Sequence, residues 1–204
     1  MLRDRPTADA SLLKIAAQSN DADRDILRMA AEGDMARATR VLMKRHGRSV
    51  YRYCREALRD ATLADDVQQQ VFIEAHRDLA TFAGRSTVRT WLFAIARHRV
   101  LDAAKSRTRA RAHIEDDATA DTVDPTPPPD ERLDDAELIE ALVACVGKLS
   151  TQVRAAVLLR YQLGFTFEEM AVICDEKAGT LQARVMRVLP LLKACIEQRT
   201  GHRA

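Results

Sequence analysis

The stretch LATFAGRSTVRTWLFAIARHRVLDAAKSR, Leu79–Arg107, decides how this chain is read. Gly84 breaks the helical pattern before it, and Ser86 or Thr87 stands where a cap for the next helix is needed. That helix carries Val88, Trp91, Leu92, Ile95 and Ala96 as one apolar stripe, the spacing of a helix packed on one side. The loop Thr81–Thr87 offers backbone amides, hydroxyls and Arg85 beside Phe82, while Arg89, Arg97, Arg99, Lys105 and Arg107 supply charge for phosphates. Two readings stand side by side. In one, the loop captures an unstacked DNA base; in the other, Phe82, Trp91 and Phe93 are core and the arginines a solvated face.

The rest of the chain narrows the class. It has 204 residues, 47% of them apolar, with only seven Gly and six Pro, which suits two small helical domains better than a disordered chain. No apolar run approaches the roughly 18 residues of a membrane span and the N-terminus is polar, so a cytoplasmic protein without membrane insertion is expected. Cys54, Cys145, Cys174 and Cys195 form no Cys-x-x-Cys pair and read as small buried residues, with thiol sensing in the C-terminal part as the other reading. Neither the five His nor the sparse Gly makes a ligand set or a phosphate loop. The expectation is a binding protein rather than an enzyme, with no catalytic residue, metal or cofactor.

Charge is segregated along the chain. Residues 21–113 hold 19 Lys and Arg against 12 Asp and Glu, residues 114–137 hold 1 against 10, and residues 138–204 hold 9 against 6. A basic domain, an acidic tether and a mildly basic domain follow one another. The tether contains Pro125, Pro127, Pro128 and Pro129 and little that could build a core. Such a segment reaches about 80 to 90 Å fully stretched and roughly 28 Å as a coil.

Helical patterns fill both domains. In the first, Ile26, Leu27, Ala30 and Ala31 make one stripe, punctuated by Gly33 and Asp34; Val41, Leu42, Val50, Tyr51, Cys54 and Leu58 make another. A third helix buries Val67, Val71, Phe72, Ala75 and Leu79 and leaves Asp66, Gln69, Gln70 and Arg77 on its polar face. In the second domain Leu138, Leu142, Val143 and Val146 form the first helix, and Ser150 caps a second, Val153–Leu163, ended by Gly164. Thr166 with Glu169 makes a capping box for Phe167–Cys174, and Gly179–Leu189 follows as the recognition helix of a helix-turn-helix. Pro190 is expected to end or bend that helix.

Phe82, Gly84, Ser86, Thr90, Trp91, Leu92, Ile95, Ala96 and Arg97 stand at every offset of a Phe-x-Gly-x-Ser-x-x-x-Thr-Trp-Leu-x-x-Ile-Ala-Arg run. The segment resembles the promoter-melting part of the extracytoplasmic-function sigma factors, the smallest members of the main bacterial sigma family. Two further stretches are similar to that family. Gly33-Asp34 followed by Tyr51-Arg52-Tyr53 matches its first conserved region. Gly164, Thr166, Phe167, Glu168, Glu169, Met170 and Ala171, then Gly179, Thr180, Leu181, Gln182, Ala183 and Arg184, match its fourth.

The resemblance implies an all-α fold of two small domains. Residues 1–20 would be an N-terminal extension, 21–113 sigma region 2, 114–134 a flexible acidic linker and 135–204 sigma region 4. It implies a factor that directs core RNA polymerase to specific promoters and starts their melting. Phe82, Gly84, Arg85, Ser86, Thr87, Arg89 and Arg97 would serve the minus-ten element, and Thr180, Gln182, Arg184 and Arg187 the minus-thirty-five element. Asp65, Asp66, Gln69 and Gln70 would dock on the clamp helices of the largest polymerase subunit, with region 4 on the flap of the second largest. An anti-sigma factor is the further expected partner. The family usually has an acid where Gln70 stands, Trp at His76, Lys and Ser at Gln182 and Ala183, and a Gly and an apolar residue where Asp175 and Glu176 place two acids beside the DNA-facing helix. The departures at Gln70, His76 and the acidic turn keep a second function in view, a sigma mimic that sequesters an anti-sigma factor without binding DNA; a helix-turn-helix transcriptional regulator is the other alternative, disfavoured by the Trp91 helix and the long acidic tether.

Overall fold

The computed structural model describes residues 23–114 and 135–201, and every described element is helical. The expectations for the extension 1–20 and for the linker beyond Ile114 lie outside the described residues. Helix α1, Arg24–Ala31, buries Ile26, Leu27, Ala30 and Ala31 as its stripe requires. It is tied to α2, Met35–Leu58, by Arg45, which donates to Asp23 and Asp25. Asp34 caps α2 by accepting from the Arg37 N–H, and Asp60 caps α3, Ala61–Asp78, by accepting from Leu63. A short 3-10 turn, Leu79–Thr81, and a loop then lead into α4, Val88–Ile114. Of the two residues placed to cap α4, Thr87 does so: its hydroxyl oxygen accepts from the Thr90 N–H at 3.0 Å. At 27 residues α4 is about 40 Å long.

The C-terminal helices are α5, Asp135–Gly147, α6, Thr151–Val157, α7, Phe167–Cys174, and α8, Ala178–Thr200. Ser150 caps α6 and the reciprocal Thr166–Glu169 box opens α7, both as expected. Past Val157 the chain takes one wide π-turn, Leu158–Gln162, and Gly164 at φ +72° reverses it. That reversal drops Phe165 into the core.

Three expectations need correction. Pro190 does not end α8, which runs on to Thr200; the hydrogen bond lost at the proline is offset by the packing of Val188 and Leu192 on either side of it. The α5 stripe is covered only at its end: Leu138, Leu142 and Val143 are exposed, Val146 is half-buried, and the helix turns Ala141 and Cys145 inward. Nor are all four cysteines inert small residues. Cys145 and Cys195 form a disulfide between α5 and α8, 50 residues apart in sequence, while Cys54 and Cys174 are buried thiols.

The two domains are packed together around one continuous core. Tyr53, Ala57, Phe93, Ala96 and Val100 from the first meet Ala155, Leu159, Phe165, Met170 and Cys174 from the second. Phe93 sits edge-on to both Tyr53 and Phe165, with ring centroids 5.7 and 5.3 Å away. Arg154, buried at 7% exposure, donates to the carbonyls of Ala57, Gly147 and Leu149 and so joins the end of α2 to the α5–α6 corner.

Candidate nucleic-acid interface

The loop before α4 is built on an aromatic hinge. Phe82 is buried and sits edge-on to the half-buried Trp91, centroids 5.5 Å apart. It anchors the loop and is not itself displayed. Beyond it Ala83, Gly84, Arg85 and Thr87 are exposed, with Ser86 partly so. Gly84 takes φ +65°, a value a side chain would strain. The Thr87 hydroxyl is engaged with Thr90, and the Ser86 hydroxyl donates only a long 3.3 Å bond to the Thr87 carbonyl. Ser86 and Arg85 are therefore the side chains best placed to exchange partners for a ligand.

The flanking arginines divide into two groups. Arg99 pairs with Glu74 and Arg107 lies 3.6 Å from Asp60, both inside the first domain. Arg89 and Arg97 instead reach across to the second. Arg89 donates to the Leu163 carbonyl, which the π-turn and Gly164 present to it, and its guanidinium stacks 3.9 Å from the Phe165 ring centroid. Burial pushes the Arg89 guanidinium below its ordinary value, opposed by the charges of Glu169 and Asp23. Arg97 lies 3.4 Å from Glu176.

On α3, Asp65, Asp66, Gln69 and Gln70 are all exposed on successive turns, whereas Gln68 turns inward and donates to the Gly47 carbonyl. On α8, Thr180, Gln182 and Arg187 are exposed, the last donating to its own helix at Ala183. Arg184 is not free. It grips Glu176 with both terminal guanidinium nitrogens, at 3.0 and 2.6 Å. Glu176 thus holds one arginine from each domain. Its carboxyl lies below the usual glutamate range because the Arg184 hydrogen bond and the charges of Arg184 and Arg97 outweigh burial.

Sequence reasoning flagged Glu176 as an acid beside the DNA-facing helix but missed what it binds. It also missed Arg154, Phe165 and the contact in which Gln162 donates to Glu56. The only sequence signal was the departure at the turn, since the contacts that cross between the two domains, Arg97 to Glu176, Arg154 to Ala57 and Gln162 to Glu56, join residues 79 to 106 apart in sequence.

The described residues form an all-helical structure in which a basic helix behind an exposed loop is followed by two short-linked helices, α7 and α8, the arrangement of a two-part nucleic-acid-binding protein. Comparison with known proteins names the class. The family model for Sigma-70 region 2 matches residues 42–110, and that for Sigma-70 region 4 matches residues 139–189. The chain is 30% identical over 185 residues to the ECF RNA polymerase sigma factor SigC of Mycobacterium tuberculosis, covering 89% of this chain and 96% of that protein. It is 28% identical over 161 residues to SigX of Bacillus subtilis, covering 76% and 83%. Among solved structures, CnrH in complex with the cytosolic domain of CnrY has a TM-score of 0.58 at 23% identity, over 94% of this chain and 98% of that one. The sigma factor RpoE with the anti-sigma factor NepR from Bartonella quintana has a TM-score of 0.61 at 21% identity, over 81% and 98%.

The chain belongs to the sigma-70 family as an ECF RNA polymerase sigma factor: it directs core RNA polymerase to promoters. Among the described residues no helix is long and apolar enough to cross a membrane.

Proposed function

We propose that the loop Ala83–Thr87, anchored by Phe82 and turned at Gly84, takes a flipped minus-ten base while Arg85, Arg89 and Arg97 hold the flanking phosphates. Unstacking a base costs a few kcal/mol, and hydrogen bonds from the loop to the flipped base together with arginine contacts to the flanking phosphates offset it. Thr180, Gln182, Arg184 and Arg187 on α8 read the minus-thirty-five element: Gln182 suits adenine and Arg184 suits guanine or phosphate. Asp65, Asp66, Gln69 and Gln70 dock on the clamp helices of the largest polymerase subunit, and region 4 meets the flap of the second largest. The observation that carries this reading is the separation of two exposed polar surfaces in region 2, the α3 face and the 83–87 loop, each built on a buried apolar face.

Run-off transcription with core polymerase tests it. Replacing Arg85 and Ser86 by Ala, with the Thr87 cap kept, is expected to weaken promoter opening and leave polymerase binding intact, whereas Asp66→Arg is expected to impair co-purification with the polymerase. Equal loss of both activities in the loop variant would mark those residues as folding residues rather than readers. Normal co-purification of Asp66→Arg would refute the docking surface.

The partner we infer beyond polymerase is an anti-sigma factor, as in the solved complex of RpoE with NepR. A groove of about 960 Å³ runs between the end of α2 and helices α5 and α8, floored by Leu142, Val143, Leu158 and Leu192. Leu138, Ile139, Leu142 and Val143 leave α5 with an apolar face toward solvent. Amide exchange in α5 is expected to slow when the anti-sigma factor binds. Unchanged exchange there would place it elsewhere.

A further inference from the structure

Two promoter elements separated by some two turns of B-DNA lie roughly 70 Å apart. The described chain cannot present region 2 and region 4 at that distance, because α4 and the α6–α7 segment share one core. The groups that close it are the ones expected to touch DNA. Arg89 is spent on the Leu163 carbonyl and the Phe165 ring, and Arg97 and Arg184 are spent on Glu176.

Glu176 is the informative member of this set. The turn between α7 and α8 needs one residue in the left-handed region, and Asp175 supplies it at φ +52°. The backbone asks nothing acidic of the next position, where the resembled pattern carries an apolar residue. The carboxylate there engages Arg184 through a two-point fork and Arg97 through a second contact, the same donor geometry that a phosphate would accept. The three side chains are 12 to 24% exposed, so solvent screens them less than a surface pair.

We infer that Glu176 is a built-in competitor for DNA phosphate: by occupying Arg97 and Arg184 it latches region 4 onto region 2, and the chain binds DNA in the fraction of molecules whose latch is released. The inference rests on the sigma reading only for the identity of the DNA. The two contacts have different consequences. The Arg184 pair lies within region 4 and masks one reader, while the Arg97 pair crosses between regions and favours the closed form. The aromatic seam of Tyr53, Phe93 and Phe165 also holds the regions together, so removing the carboxylate shifts an equilibrium rather than abolishing one state. Apparent affinity then rises in proportion to the open fraction.

The test uses the full chain with two variants, Glu176→Gln, which keeps the shape of the side chain, and Gln162→Glu. The second sets an acid against Glu56 at the other end of the same seam, opening it by like-charge repulsion at a residue outside the reading surfaces. Unchanged helix content by circular dichroism establishes that both fold. Solution scattering reads the closed-to-open ratio, and fluorescence anisotropy reads affinity for a mixed-sequence duplex of roughly four helical turns. Both variants are expected to raise the radius of gyration and to tighten DNA binding roughly five- to tenfold. Scattering identical to the unsubstituted protein in both variants would overturn the latch. Tighter binding in Glu176→Gln alone would reduce it to a mask on Arg184, and opening without tighter binding would overturn the competition. If scattering and affinity respond as expected but no variant supports transcription with core polymerase, the latch stands and the proposed assignment of the promoter-reading residues fails.

Discussion

Phe93→Ala is expected to lower the stability of the full chain by about 3 to 5 kcal/mol and to split one unfolding transition into two. Phe93 is fully buried on α4, edge-on to Tyr53 of its own region and to Phe165 of the other. Edge-to-face pairs add about 0.5 to 1.5 kcal/mol each beyond burial. The ring also supports Arg89, whose guanidinium lies 5.8 Å from it and 3.9 Å from Phe165. Truncation leaves a cavity where α4 meets the chain after the π-turn, so the two regions lose their shared centre while each keeps its own helices. Against a typical total of roughly 5 to 15 kcal/mol this is a large fraction. Differential scanning calorimetry and urea denaturation measure it. A loss below about 1 kcal/mol, the scale of an ordinary surface or peripheral change, with the single transition retained, would show that the aromatic seam does not couple the regions in solution.

What was legible in the sequence is what local chemistry determines. The stripe on α4, the Thr87 cap, the Thr166–Glu169 box and the inward faces of α1 and α3 follow from spacing and from nearby hydroxyls and carboxylates. Aromatic spacing alone left two roles open for Phe82, and its packing on Trp91 makes it the loop's anchor. The apolar residues of α5 repeat at helical spacing yet face outward, because periodicity shows that a helix has an apolar face and not that its own chain covers it. Glu176 illustrates the remaining gap. Its partners Arg97 and Arg184 are 79 and 8 residues away, and only the fold brings all three together. The packing of the two regions against each other was likewise invisible, since an acidic tether of that length permits both close and distant placements.

Reducing the Cys145–Cys195 bond is expected to destabilise region 4 selectively, by about 4 kcal/mol for a cross-link spanning 50 residues. The bond carries more weight here than in a large core. The cluster around it contains only Cys145, Val157, Val188 and Leu192 as buried members, and α5 turns Leu138, Ile139, Leu142 and Val143 outward. Once the staple is cut, mostly half-buried residues, Val146, Leu149, Val153 and Ile196, remain around that small cluster to hold α5 against α8. The other two cysteines do not compete as redox sites: burial pushes the Cys54 thiol up to about 12, and burial likewise raises Cys174. Both stay protonated at neutral pH and are poor nucleophiles. Dithiothreitol, or Cys145→Ser without it, is expected to lower the melting temperature and to speed amide exchange in α5 and the second half of α8. Helices α1 to α3 should exchange as before, and Cys54→Ser should leave the response to reductant unchanged. Equal melting with and without reductant would remove the disulfide from the stability of region 4. A reductant response that survives in Cys145→Ser would assign it to another thiol. If the response disappears with Cys145, the thiol chemistry left open by cysteine placement alone belongs to the α5–α8 pair, where it controls how firmly the Cys145 face of α5 is held against α8.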